Sequence, residues 1–435
     1  MKKLTMLYDA TVVCNILTKN SSRSGIFFVA YNVLLELLKR EEFNIFLYGD
    51  NIVKLQNVIE NYDELAKCKR YRFSFLDDII IFLSNLKKKN KKKLFYIFLS
   101  ILLSLFISVL KKINKFYINN FKKFDDIDVY FSPMKAVPKF IFKFKSIKRF
   151  TILHDTIPLV NDYRNNAEKH DWYHKLISTI NSTDNYFANS LSTKQDFIEY
   201  VPKINPSNIC VIPLSTGKPY FKIGDEYYIK QIKRKYSIPT DKKYIFSLCN
   251  LDPRKNLIFA IKNFFNFIEK HNLDDFIFVL GGSHFKDFED ILNKNIENLG
   301  DKKNKILRIG YVDDEDMSAL YSGAEMFVFP SLYEGFGIPV LEAMKCGLPV
   351  ICSNTTSLPE VIGDCGIQIN PYSDKELIEA MEKMYFDREF RQECIKNGLE
   401  RAKLFTWKKC VDIITNTIAA EVDYEKENND NFINL

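Results

Sequence analysis

A chain of 435 residues with 46% hydrophobic content is long for one domain and has enough apolar surface for two cores. Its net charge is +7, but the Lys residues are unevenly spread, so a local basic surface matters more than the total, and no nucleic-acid partner is expected. The nine Cys are scattered, without a Cys-x-x-Cys pair or a His at zinc spacing, which argues against a disulfide framework or a zinc site and suits a reducing cytosol.

The chain starts MKKLTMLYDATVV, where Asp9 interrupts any apolar core of a signal peptide, so Leu4 to Val13 reads as a first strand. A polar loop, Thr18 to Ser24, leads to Gly25 and an apolar-periodic helix from Ile26 to Leu38. This strand–Gly loop–helix unit opens many nucleotide-binding α/β domains. Phe43 to Tyr48 is a second strand.

The next segment is unusual. Lys87, Lys88, Lys89, Lys91, Lys92 and Lys93 precede the uncharged run Leu94 to Leu110, and Lys111, Lys112 and Lys115 follow it. As a helix the run would span about 26 Å at about 1.5 Å per residue, short of a hydrocarbon core of about 30 Å. A spanning helix would also put two parts of one sheet on opposite sides of a membrane. A core helix and a membrane-docking helix both remain open. Docking on anionic lipid is favoured by the flanking Lys, with Ser100, Ser104 and Ser108 forming a face that could pack on protein.

Asp128 to Ser132 and Arg149 to Leu153 are further strands, and the second delivers His154 and Asp155 at its C-terminal end, where open α/β sheets bind ligands. Tyr186 to Asn189 is a strand, Ser190 to Tyr200 a helix, and Cys210 to Gly217 a crossover into a second domain. There, strand Lys243 to Cys249 is followed by Asp252-Pro253-Arg254-Lys255-Asn256 and a helix from Leu257. Arg254 and Lys255 oppose the helix dipole at an N-terminus, which suggests that an anion is held there. Phe276 to Leu280 and Leu307 to Ile309 are strands, the latter running into Gly310, Tyr311 and Val312.

The organising stretch is MFVFPSLYEGFGIPVLEA, Met326 to Ala343. A buried strand, Met326 to Phe329, turns through Glu334, Gly335, Phe336 and Gly337, and Ile338-Pro339 opens a helix that stops at Gly347. Free backbone N–H groups and the positive end of the helix dipole make this an anion site. Glu334 and Glu342, with seven residues between them, repel a phosphate but can accept hydrogen bonds from hydroxyls on its two flanks, as on a nucleotide sugar.

EGFGIPVLEA resembles the Glu-x7-Glu signature of retaining glycosyltransferase family 4, and the resemblance extends from about Gly25 to Trp407. HDTIP, LDPRKN, GYVDDEDMSALYSGA and SNTTSLPEVIGDCG belong to it, and the set is most similar to the mannosyltransferase-B-like branch that builds O-antigen and other bacterial surface polysaccharides. The resemblance implies an α/β GT-B fold, with two Rossmann-like doubly wound domains facing a deep cleft. It suggests an acceptor domain over 1–212 with an apolar insert at about 85–123, and a nucleotide-sugar domain over 213–404. A helix over 405–420 would cross back to the first domain, ahead of a frayed tail over 421–435.

By the same resemblance, Glu334 would hold the donor sugar, His154 would contact it from the opposite domain, and Glu342 would grip the ribose. Arg254, Lys255 and the backbone at Gly335, Phe336, Gly337 and Ile338 would face the diphosphate; Gly25 would approach it or the acceptor, and Tyr311 and Val312 would flank the base. Two positions depart from the family: Phe27-Phe28 replace the usual Gly-Arg, and Asn250 stands where a basic residue is common.

The expected activity is retaining, metal-independent transfer of a hexose from a nucleoside-diphosphate sugar, with GDP-mannose the first choice. The acceptor would be a growing, lipid-linked bacterial surface glycan, reached from the inner face of the cytoplasmic membrane. No cofactor beyond the donor is expected. A UDP-sugar donor and a catalytically silent scaffold are the alternatives. An oxidoreductase would need a Gly-rich fingerprint after the first strand, where only Gly25 stands.

Overall fold

The computed structural model describes residues 3–17, 25–89, 94–120, 124, 126–160, 171–282 and 286–433. The loop Thr18 to Ser24, Lys91 to Lys93 and Ser283 lie outside the described residues. Apolar runs form the central strands, which are buried on both faces as parallel sheets require. The first sheet contains β1 (Leu4–Asp9), β2 (Phe43–Tyr48), β3 (Lys69–Arg70), β4 (Val129–Ser132), β5 (Lys148–Leu153), β6 (Asn185–Ala188) and β7 (Ile209–Val211). Its order is β3-β2-β1-β4-β5-β6-β7, parallel throughout. The second contains β8 (Lys243–Leu248), β9 (Phe276–Gly281), β10 (Ile306–Gly310), β11 (Met326–Phe329), β12 (Val350–Ser353) and β13 (Ile367–Ile369). Its order is β10-β9-β8-β11-β12-β13, again parallel.

Strand order reverses between β1 and β4 in the first sheet and between β8 and β11 in the second. Crevices open at such switch points, and the helices that start beside them are α1 (Gly25–Leu37) and, in the second domain, the helix Ile338–Lys345.

The first domain continues with α2 (Ile52–Asn61), α3 (Leu76–Lys89), α4 (Leu94–Asn120), α5 (Asp171–Thr179) and α6 (Leu191–Tyr200). The second has α7 (Glu226–Lys235), α8 (Leu257–Lys270), α9 (Lys286–Glu297), α10 (Met317–Ser322), α11 (Ile338–Lys345), α12 (Leu358–Ile362), α13 (Asp374–Phe386) and α14 (Arg388–Ala402). The last helix, α15 (Trp407–Ile433), returns to the first domain, where Arg40 Nη2 meets Asp412 Oδ1 at 2.7 Å. Trp407 Nε1 donates to the Thr216 carbonyl at 2.9 Å, tying its start to the crossover.

Several elements differ from expectation for local reasons. β1 stops at Asp9, not Val13, because Asp9 Oδ1 accepts from Thr11 N at 2.9 Å and turns the chain into a 3-10 segment, Val13–Leu17. Helix α15 continues to Ile433 where fraying was expected from Glu421, in a stretch with no Gly or Pro to stop it. Helix α4 runs ten residues beyond Leu110, and it is a surface helix rather than a core one: Leu105 and Phe116 are 60% and 62% exposed.

A polar knot holds α4 in place. The buried Asp77 carboxylate accepts from Phe73 N at 2.7 Å, Asn114 Nδ2 at 2.7 Å and Arg70 Nη1 at 3.3 Å. Ser74 Oγ donates to Asn114 Oδ1 at 2.6 Å. Removing the carboxylate would strand buried donors from three elements, so Asp77→Ala is expected to cost about 2–4 kcal/mol. A lower urea midpoint for the first domain would register this, and an unchanged midpoint would mean that the knot is dispensable.

Candidate active site

The site starts from the end of β11. Ser331 Oγ donates to Glu334 Oε1 at 2.6 Å, and Thr356 Oγ1 accepts from Glu334 N at 3.0 Å, so both ends of Glu334 are fixed before the helix starts. Gly337 takes φ +107, left-handed backbone that an L residue rarely adopts, and Ile338 rather than Pro339 is the first residue of α11. Gly335 is required for space: a Cβ there would lie 2.2 Å from the His154 carbonyl oxygen of the opposite domain.

The turn Pro253–Lys255 brings both cations to Glu334. Lys255 Nζ pairs with Glu334 Oε1, and Arg254 Nη1 stands 4.0 Å from Oε2 while donating to the Tyr333 carbonyl at 2.7 Å. Asp252 Oδ1 lies 3.3 Å from Arg254 Nε, and the Lys255 ammonium also sits 5.0 Å from the Phe329 ring. Burial by itself pushes the Glu334 carboxyl up, but Lys255 and Arg254 outweigh it and hold the group below its ordinary range. Glu334 is therefore ionised at neutral pH and acts as an acceptor. The two cations, each only about a tenth exposed, are set in place in advance.

His154 follows β5, with Nε2 2.7 Å from the Pro133 carbonyl. Because a carbonyl can only accept, this contact assigns the proton to Nε2 and leaves Nδ1 as the acceptor face of the ring. Burial pushes its pKa down to about 4, so the imidazole is neutral at pH 7. Met134, Trp172 and Tyr173 line a small cleft beside it.

The α1 and α11 N-termini meet across the cleft, since a Cβ on Gly25 would lie 3.2 Å from Ile338 Cδ1. Phe336 is buried, edge-on to Phe405 at 5.9 Å. Glu342 does not stand in an open first turn. It is the fifth residue of α11 and is buried, with Oε2 accepting from Tyr321 Oη at 2.9 Å. Burial pushes its carboxyl up to about 7, against the hydrogen bonds from Tyr321 and Tyr220.

Beyond β10, Tyr311 is exposed and Val312 buried, while Gly310 lines a cavity of about 370 Å³ together with Leu251, Leu280, Gly282, Glu289 and Arg308. Arg308 Nη2 bonds Glu289 Oε1 at 2.8 Å on its wall, so this cavity carries charged side chains. Among the described residues, no three His, Cys, Asp or Glu side chains are grouped to hold a metal ion.

Residues that the sequence reading had not singled out join the two domains. Ser190 Oγ and Thr193 Oγ1 donate to the Gly335 carbonyl at 2.8 and 3.2 Å. Glu360 accepts from Leu191 N and Ser192 N at 2.7 and 2.8 Å, capping α6 from the other domain. Tyr333 Oη donates to Asp196 and accepts from Thr156 Oγ1 at 2.8 Å. Ser190 ahead of a helix carries an N-cap signal, but nothing local indicates that its hydroxyl reaches another domain. Phe28 does similar work, packing so closely on the crossover that a Cβ on Gly217 would fall 2.4 Å from its ring.

Two facing parallel α/β domains, with helix N-termini meeting at the cleft between them, define the GT-B architecture. Sucrose-phosphate synthase from Thermosynechococcus elongatus superposes with a TM-score of 0.65 at 15% identity, covering 97% of this chain and 100% of that one. Anabaena HepE, solved with UDP and glucose, superposes with a TM-score of 0.62 at 15% identity, covering 97% and 100%. Residues 229–401, most of the second domain, match the family model of glycosyl transferases group 1.

Among curated relatives, the Escherichia coli serotype-specific mannosyltransferase WbdA is 32% identical over 60% of this chain and 32% of its own length. The E. coli O-antigen chain mannosyltransferase B is 38% identical over 41% of this chain and 45% of its own. The matched part of the chain thus spans a third to under half the length of these relatives.

Two outcomes check this geometry. Gly335→Ala is expected to prevent the turn from seating against His154, which would appear as a larger radius of gyration in solution scattering; unchanged dimensions would refute the contact. Glu342 has a folded-state pKa raised above the usual 4.5, so its contribution to stability is full below about 4.5 and is lost as pH rises through about 7. The thermal midpoint of wild type relative to Glu342→Gln should therefore fall between pH 4.5 and 7. A difference independent of pH would show that this carboxyl titrates normally.

Proposed function

We propose that the protein is a retaining, metal-independent glycosyltransferase that moves mannose from GDP-mannose to a growing, lipid-linked bacterial surface glycan at the inner face of the cytoplasmic membrane. The observation that carries the reading is the largely enclosed Glu334–Lys255–Arg254 cluster at the N-terminus of α11, with α1 opposite. In the reaction the bond from the anomeric carbon to the β-phosphate oxygen breaks, and the electron pair leaves with the diphosphate. Arg254, Lys255 and the backbone from Gly335 to Ile338 stabilise that charge with groups already oriented. The acceptor hydroxyl attacks the same face and passes its proton to the departing phosphate oxygen, so no protein nucleophile is required and the configuration is retained.

Glu334 accepts hydroxyls of the donor sugar, and neutral His154 offers Nδ1 from the opposite wall. Glu342 stands on the ribose side, and the cavity by Gly310 takes the base. The mannose assignment follows the relatives named as mannosyltransferases, whereas HepE, solved with UDP, supports a UDP-sugar as the alternative donor.

The test is donor hydrolysis and transfer across GDP-, UDP-, ADP- and dTDP-sugars in EDTA. Turnover of GDP-mannose is expected, with a fall of at least about 100-fold in Glu334→Ala. Silence with every donor, and no thermal shift on adding any of them, would overturn the enzyme reading in favour of a scaffold. Turnover that depends on added divalent metal would overturn metal independence.

A further inference from the structure

We propose that the α3–α4 hairpin is a membrane-docking surface that seats the first domain on an anionic lipid bilayer. The inference stands on the hairpin itself and not on the transferase reading. Its inner faces are packed: Ile80 and Ile107 are buried, and Lys87 Nζ reaches across to Ser104 Oγ at 2.5 Å. The Asp77–Asn114 knot fixes how α4 is rotated. With those faces inward, both helices turn apolar stripes outward.

On α3 and just before it the stripe is Phe75, Ile79, Phe82 and Leu86, at helical spacing, with Phe75 66% and Phe82 62% exposed. On α4 it includes Leu105, Phe106, Val109, Ile113 and Phe116, all at least half exposed. Two adjacent helices thus present one continuous apolar face, far more than the scattered hydrophobics of an ordinary surface.

Charge identifies the occupant. From Ile79 to Lys123 the sequence carries eleven Lys and no Asp, Glu or Arg, although the whole chain is only +7, so the remainder of the protein is net negative. Lys112 and Lys115 are exposed on α4 and border its stripe, where a long side chain can keep its ammonium at a headgroup while its stem lies on the apolar face. A second copy of the chain would bring the same cations together with no carboxylate from this segment to answer them, whereas anionic phosphate headgroups complement them. Among the described residues no helix is long and apolar enough to cross a membrane, so the hairpin lies in the interface plane.

The test is sedimentation of the full chain with vesicles of phosphatidylcholine, alone or with about one-third phosphatidylglycerol, without any donor. Wild type should pellet with the anionic vesicles and at least about tenfold less with the neutral ones. Leu105→Ser/Phe106→Ser and, separately, Lys111→Gln/Lys112→Gln/Lys115→Gln should each lower anionic partitioning about tenfold. These side chains are exposed, so an unchanged thermal midpoint confirms folding, and donor hydrolysis in solution should be unaffected. Equal partitioning of wild type and Leu105→Ser/Phe106→Ser, or no binding to either vesicle, overturns the proposal. So does a wild-type dimer, seen by equilibrium sedimentation, that this double variant dissociates. Failure of the transferase reading would show as donor silence with vesicle binding intact.

Discussion

The site depends on one buried carboxylate being outvoted by two cations. Glu334 is far enough from water that its charge would be unfavourable alone, and Lys255 and Arg254 restore it. The pairing connects the turn after β8 to the turn after β11, the two strands that flank the second sheet's switch point. It also keeps two cations in place without water reorganising around them, which is the condition under which fixed charge stabilises negative charge most strongly.

The same turn is the contact through which the domains meet. Its Gly335 carbonyl is claimed by two hydroxyls of the first domain, and no side chain fits between Gly335 and His154. Glu360 adds a carboxylate at the positive end of α6. The residues that join the domains and the residues of the site thus share one turn. Such an arrangement suits a cleft that opens and closes around a ligand.

The hairpin is where the first domain spends its positive charge. An apolar face of this size carries a solubility cost in water. The buried knot at Asp77 ties α4 to the start of α3 and the segment before it, and so fixes which face of α4 points outward.

Much was legible from local pattern alone. The alternation of apolar runs with Gly-containing turns and periodic helices identified the two α/β domains, and EGFGIP with its strand, turn and Pro start marked the turn that stands at the cleft. Element ends were less accurately placed, because Asp9 stops β1 through a single hydrogen bond and the last helix continues past Glu421 for want of a breaker. Tertiary structure alone decided that Lys255 pairs with Glu334, 79 residues away, that Glu342 is buried against Tyr321, and that Ser190, Thr193 and Glu360 belong to the cleft. Composition could show that Leu94 to Leu110 is apolar and flanked by Lys, but not which side of the helix faces water. Periodicity records which residues share a face. What that face meets is set by partners distant in the chain, and only the packed molecule brings them together.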